Sequence, residues 1–297
     1  MTEILIGGRS ITTPATNIHR FSMILWGAAG TGKTVLAGTA PGPKLVVSFD
    51  HEGTASLADR DDVFVMDLAT EPPSIVMKFK DDMLMPREIG KFLEENPEVQ
   101  TVVVDSITSF GEMALDHGVV VARGTAKGKG ATIEEPGRSG YGNKNTWTNL
   151  LTRNMLRVTG KLNRNLILIC HEGTPNRNRD GQVVNITLML GSNLAEQVPI
   201  PISEVWNLSD TGKERRIAFR PCRLRRPMKT KIFRTDGDPE FIWEYNQMLG
   251  PNHPENAAHT IEHWFNSWVE NGGQKIDVPK PTKHAKPKQS KAKSSRS

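Results

Sequence analysis

Short, almost unbroken apolar runs recur along the first part of the chain, at residues 21–26, 44–49, 62–69, 101–105 and 165–170, each bounded by polar, glycine or proline residues. Runs of this length read as strands buried on both faces. Between them the pattern changes to helical spacing. Residues 85–99 carry Pro86 near the start and close at Asn96-Pro97, the punctuation of a helix. Residues 146–164 place Leu150, Leu151, Met155, Leu156, Val158 and Leu162 on one helical stripe. Strands that alternate with helices predict an α/β domain on a mostly parallel sheet.

Beyond residue 204 the style changes. The runs "SEVWNLSD", "RRIAFRPC" and "KTKIFRT" are short and β-like, and predict an antiparallel extension over about 204–240. Residues 254–271 predict a closing amphipathic helix with Ile261, Trp264, Phe265 and Trp268 on its core face. Two stretches resist packing by composition. Residues 122–145 are dense in glycine and charge and read as a mobile loop, and residues 173–185 as a second soft segment. The organisation is an N-terminal segment (1–20), one core (21–273) and a tail (274–297).

With 297 residues, 37% of them hydrophobic, the chain can bury a proper core. Two cysteines, Cys170 in an apolar run and Cys222 in a basic one, give neither a disulfide framework nor a metal cluster. No apolar stretch approaches the ~18 residues of a membrane helix, and the start "MTEILIGGRS" lacks a signal-peptide layout. The expected location is cytoplasmic. The formal charge of +5 is uneven, because the tail holds seven lysines and Arg296 against Asp277 alone. Rich in Pro, Lys and Ser, that tail is expected to be disordered, serving as a solubilising end or as an arm that finds nucleic acid by charge.

"GAAGTGKT", from Gly27 to Thr34, fits G-x-x-x-x-G-K-[ST] in full and lies between a predicted strand and a predicted helix. Its glycines let the backbone wrap an anion so that successive N–H groups face the β- and γ-phosphates. Gly27, Ala28, Ala29, Gly30, Thr31, Gly32, Lys33, Thr34 and Val35 therefore form the expected ATP cradle. Lys33 places its charge on the phosphates, and the Thr34 hydroxyl is a ligand for Mg²⁺. Asp105 ends "TVVVD" as a Walker B acid does, a carboxylate carried by a buried strand to the Mg²⁺ shell opposite Thr34.

The tetrapeptide HEGT occurs at 51–54 and again at 171–174, both times where an apolar run stops, without any wider internal repeat. In an open parallel sheet, residues past the carboxyl ends of the strands converge on the ligand. On that logic Glu52 orients or deprotonates the attacking water, and His171 reports the γ-phosphate. Each also admits a plainer role, a solvated loop acid and a capping histidine.

These blocks carry a resemblance. "VVSFDHEG", "TVVVDSITSF" and "LILICHEG" followed by "LMLGSNLAEQVPIPISEVWNL" resemble successive core blocks of the RecA-type recombinase ATPases, most of all the phage RecA-like single-strand annealing proteins of the Sak group. The resemblance covers about residues 20–210. It implies a RecA-like P-loop NTPase core, a catalytic glutamate at Glu52, a γ-phosphate sensor at His171 where the family often has glutamine, and DNA-contacting loops at about 115–145 and 173–195. It further implies assembly as a ring or filament; a single-strand-binding protein is a candidate partner that the sequence does not decide.

Single-stranded DNA is also suggested by residues 213–234, which pack ten Lys/Arg around one Glu. On a β-ribbon, Arg216, Arg220, Arg226, Lys229 and Lys231 would form a stripe along a phosphate backbone, joined by Arg123, Lys127, Lys129, Arg177 and Arg179 from the two loops. A solvated face and a subunit interface are the other readings of the stripe. The function expected is an ATP-dependent single-stranded DNA-binding protein that supports annealing or strand exchange in phage-type recombination. The rivals are a DNA motor, helicase or helicase loader, and a nucleotide-gated binding protein without hydrolysis.

Overall fold

The computed structural model describes residues 4–6, 9–11, 19–81, 84–125, 130–191, 193–222 and 224–280. The apolar runs form the strands of one sheet. Strands β3 (Ser22–Gly27), β4 (Lys44–Ser48), β5 (Val63–Asp67), β6 (Thr101–Asp105) and β7 (Asn165–His171) run parallel. Strands β10 (Glu204–Asp210), β11 (Arg215–Ala218) and β12 (Glu240–Ile242) extend it; β10 is parallel to β3, and the last two are antiparallel. The order across the eight-stranded sheet is β12-β11-β10-β3-β7-β6-β4-β5. This is the α/β architecture that the sequence predicts, except that "SEVWNLSD", expected in the antiparallel extension, forms β10 parallel to β3, and the antiparallel pairing begins only with β11. A small hairpin, β1 (Ile4–Ile6) with β2 (Arg9–Ile11), stands before it.

Side chains alternate between two faces, as strand geometry requires. Ile24, Trp26, Val47, Val104 and Leu168 face α2 (Pro73–Asp81), α3 (Leu84–Glu95), α4 (Ile107–Arg123) and α5 (Gly137–Lys161). Met23, Leu25, Val46, Val103 and Ile167 face α1 (Lys33–Gly38) and α7 (Ile261–Glu270). All six tryptophans are buried, so none offers a free ring for base stacking. Helix α7 is capped by Thr260, whose hydroxyl accepts from His263 N. Its first two amides, on Ile261 and Glu262, reach the hydroxyl and carbonyl of Thr39 at the end of α1, both at 3.0 Å.

Several expectations are corrected. Helix α5 begins at Gly137, inside the supposed loop 122–145. One glycine there, Gly140, serves close packing: a Cβ on it would lie 3.5 Å from Val119 of α4, and a Cβ on Gly118 of α4 would lie 3.0 Å from Asn143 Cβ and 3.2 Å from the Gly140 carbonyl of α5. Leu150 is exposed rather than part of the core stripe. The soft segment after β7 holds a two-strand hairpin, β8 (Asn176–Arg177) with β9 (Val183–Asn185), followed by the short helix α6 (Leu194–Gln197). "KTKIFRT" is no strand, because the Lys231 amide and the Thr230 hydroxyl turn to the buried Glu204 carboxylate at 2.9 and 2.5 Å. Residues Pro254–His259 form a 3-10 turn instead of helix.

The tail is anchored at its start. Ile276 donates to the Ile232 carbonyl and accepts from Arg234 N, both at 2.8 Å. Residues 281–297 lie outside the described residues. Among the described residues, no helix is long and apolar enough to cross a membrane.

Candidate nucleotide site

Strand β3 delivers Gly27 to the carboxyl edge of the sheet, and the loop Ala28–Gly32 turns into α1, which begins at Lys33. Gly32 has φ 92, and a Cβ there would meet Trp243 at 3.2 Å and the Arg215 guanidinium at 3.4 Å. A side chain at this position is excluded by both backbone and neighbours. Lys33 Nζ donates to the carbonyls of Gly27 (3.1 Å) and Ala28 (2.8 Å). Burial lowers its pKa, and the nearby Asp105 opposes the shift.

The Thr34 hydroxyl donates to Asp105 Oδ2 at 2.7 Å. Asp105 is itself buried, and desolvation pushes its carboxyl up to about 6 despite that bond. Strand β7 lies between β3 and β6, so His171, in register with Gly27, stands between the phosphate loop and Asp105. His171 Nε2 is 3.7 Å from Asp50 Oδ2. Asp50 also accepts the Ser109 hydroxyl from α4. Burial alone would raise the Asp50 pKa, but the adjacent His171 and the Ser109 hydroxyl outweigh it and hold the carboxyl below its ordinary value.

Lys33, Thr34, Asp50, Asp105, His171 and Arg215 all line one cavity of about 340 Å³. Neither Asp50 nor Arg215 stands out in the sequence, where Asp50 is one residue of "VVSFDHEG" and Arg215 one cation among ten. Glu52 does not line the cavity. It is exposed, has φ 56, and caps the 3-10 turn Gly53–Leu57 with no side-chain bond among the described residues.

The two HEGT copies therefore sit differently. The first starts three residues past the end of β4, leaving His51 exposed, while His171 is the last residue of β7. Glu172 turns away to Arg225, whose Nε donates to it at 3.3 Å.

The DNA-contact candidates are scattered. Lys127 and Lys129 lie outside the described residues. Arg123 is exposed at the end of α4 and donates to the Ala131 carbonyl at 2.6 Å. Arg177 braces its own hairpin through the Gly181 carbonyl at 2.7 Å, and Arg179 is exposed at the tip. The expected ribbon stripe is not formed, because the ladder stops at Ala218 and resumes only at Glu240. Arg216 pairs with Glu214 and Glu240. Arg220 donates to the carbonyls of Thr235 and Gly237. Lys229 reaches the Ile200 carbonyl at 3.0 Å, and Lys231 lies over the Trp268 ring at 4.7 Å. Arg226 is exposed.

Residues 19–226 match the family model described as an AAA domain. The chain belongs to that family. It is a P-loop ATPase, and the matched region takes in the phosphate loop, Asp50, Asp105 and His171. No curated protein matches the chain. For an AAA domain, the adjoining Thr34 hydroxyl and Asp105 carboxylate are hard oxygen donors of the kind Mg²⁺ takes, the remaining positions going to phosphate and water. No group of three or more His, Cys, Asp or Glu side chains placed to hold a metal ion occurs among the described residues.

Proposed function

We propose that this ATPase binds single-stranded DNA and couples ATP to annealing or strand exchange. The observation that carries the reading is the hairpin β8–β9, which springs from the end of β7 only a few residues after His171 and presents Arg177 and Arg179 to solvent. A ligand on that hairpin and a γ-phosphate beside His171 act on one short stretch of chain. The resemblance to recombinase ATPases supports the same assignment, and on that reading the protein assembles into a ring or filament.

ATP·Mg²⁺ supplies the phosphoanhydride bond and the charge that must be neutralised. Lys33 and the loop amides bind its phosphates, while Thr34 and Asp105 hold the cation. Asp50 accepts from Ser109 and lies 3.7 Å from His171 Nε2, so its role is to position His171. Glu52 has the free carboxylate, and a general base needs one to order water. Since Glu52 stands outside the cavity lining, a second reading also has support: a nucleotide-gated DNA-binding protein with negligible hydrolysis.

The test is ATP hydrolysis with and without single-stranded DNA, for the native chain, Lys33→Ala and Glu52→Gln, alongside DNA binding by Arg177→Ala/Arg179→Ala. DNA-stimulated hydrolysis lost in both site variants, with weaker and less salt-dependent binding by the arginine variant, supports the proposal. No binding to single-stranded DNA at low salt overturns it. Binding without hydrolysis selects the nucleotide-gated reading.

A further inference from the structure

The phosphate cavity does not end at the phosphate loop. Arg215 and Gln247 line it, and both also line a second, open cleft of about 680 Å³ between the β10–β11 turn and residues 242–248. The two spaces thus share a wall. Trp243 and Arg215 press against Gly32 of the phosphate loop from the cleft side. Tyr245 stacks on Trp243, with ring centroids 5.5 Å apart and planes at 21°. Gln247 Nε2 donates to the Ser56 carbonyl at 3.3 Å and pins the segment across the mouth of the phosphate cavity.

Beside this wall Met248 is 95% exposed, a polarisable apolar side chain left in water at the edge of a concave site. The Arg215 guanidinium is one-third exposed, and Asp210 Oδ2 at 3.4 Å orients it. A planar cation and a thioether flank a cleft that shares Arg215 and Gln247 with the phosphate cavity. That combination suits a flat heteroaromatic ring, which gains from stacking against guanidinium and sulfur alike.

We propose that the nucleoside of the bound nucleotide occupies this cleft, with Arg215 and Met248 as its recognition residues. The assignment rests on the ATP-binding reading of the phosphate loop and deepens it. Trp243, Tyr245, Gln247 and Met248 lie beyond the family match, so this half of the site belongs to the chain's own C-terminal extension.

The test measures calorimetric affinity for Mg·ATP and for inorganic tripolyphosphate, which has the phosphates and no nucleoside. Lys33→Ala should weaken both. Met248→Ala, outside the phosphate cavity, should weaken ATP about threefold and leave tripolyphosphate unchanged, and Arg215→Ala, whose cation also lines that cavity, should weaken ATP about tenfold more than it weakens tripolyphosphate. Unchanged circular dichroism and melting temperature show that the variants are folded; Met248, almost wholly exposed, keeps the test open if Arg215→Ala is not. Equal losses for both ligands, or no loss for either, overturn the nucleoside assignment. Failure of the native chain to bind either ligand overturns the phosphate-site reading instead.

Discussion

Thr34 and Asp105, 71 residues apart in the chain, are joined by a single hydrogen bond of 2.7 Å. It ties the start of α1 to the end of β6 across the space a cation would enter. Asp105 has its pKa raised from 3.8 to about 6, so the fold favours its protonated form. Its contribution to stability is full below the unfolded pKa and is lost as pH rises through about 6. In the absence of Mg²⁺ and nucleotide, Asp105→Asn should therefore stabilise the protein at about pH 7.5 by up to ~3 kcal/mol, and by nearly nothing around pH 4. Urea unfolding at the two pH values checks this. The same variant should lose Mg²⁺-dependent hydrolysis, which separates the cation's role from the fold's.

The two carboxylates after β4 should separate in the same way. Glu52→Gln should leave melting unchanged, since its side chain is exposed and unbonded among the described residues, and should lower kcat at least a hundredfold, ~3 kcal/mol in the barrier. Asp50→Asn removes the charge that faces His171 and should lower the melting temperature as well as the rate. Thermal melts beside steady-state rates read both.

Gly27 is a backbone requirement of another kind. A Cβ at this position would lie 2.1 Å from the Leu208 carbonyl oxygen of β10. Gly27→Ala must push two central strands apart, and should cost roughly 3 kcal/mol or fail to yield folded protein. Expression yield and chemical denaturation report the result.

Gly118→Ala sets helix propensity against packing. On an exposed helix the change would stabilise by about 1 kcal/mol. Here the new methyl meets α5 at 3.0 Å, so the midpoint of unfolding should fall. A rise would mean that α4 and α5 do not pack as closely as described.

The strands of the core were legible because each apolar run has no polar face to hide, and the phosphate loop because its glycines and lysine answer a chemical need independent of the rest. Residues 122–145 misled for a physical reason: glycine lowers helix propensity in isolation, yet Gly118 and Gly140 are what let two helices touch. Glu52 and Asp50 show the same limit within the site. Both follow one strand by a few residues, and only the fold shows that Asp50 lines the cavity while Glu52 does not. Arg215 carried no signal among ten cations, since its role comes from contact with Gly32 on a distant segment.

The attachment of α7 to Thr39 sets where this protein can be divided. A fragment cut at residue 226, where the family match ends, would keep every phosphate-binding residue and still lose Trp243, Trp264, Phe265 and Trp268 from the face of the sheet that α1 covers. It would also leave the end of α1 without the amides that hold it. The limit of similarity is thus not a structural boundary, and the smallest working unit must extend through the closing helix to the anchoring strand contact at Ile276.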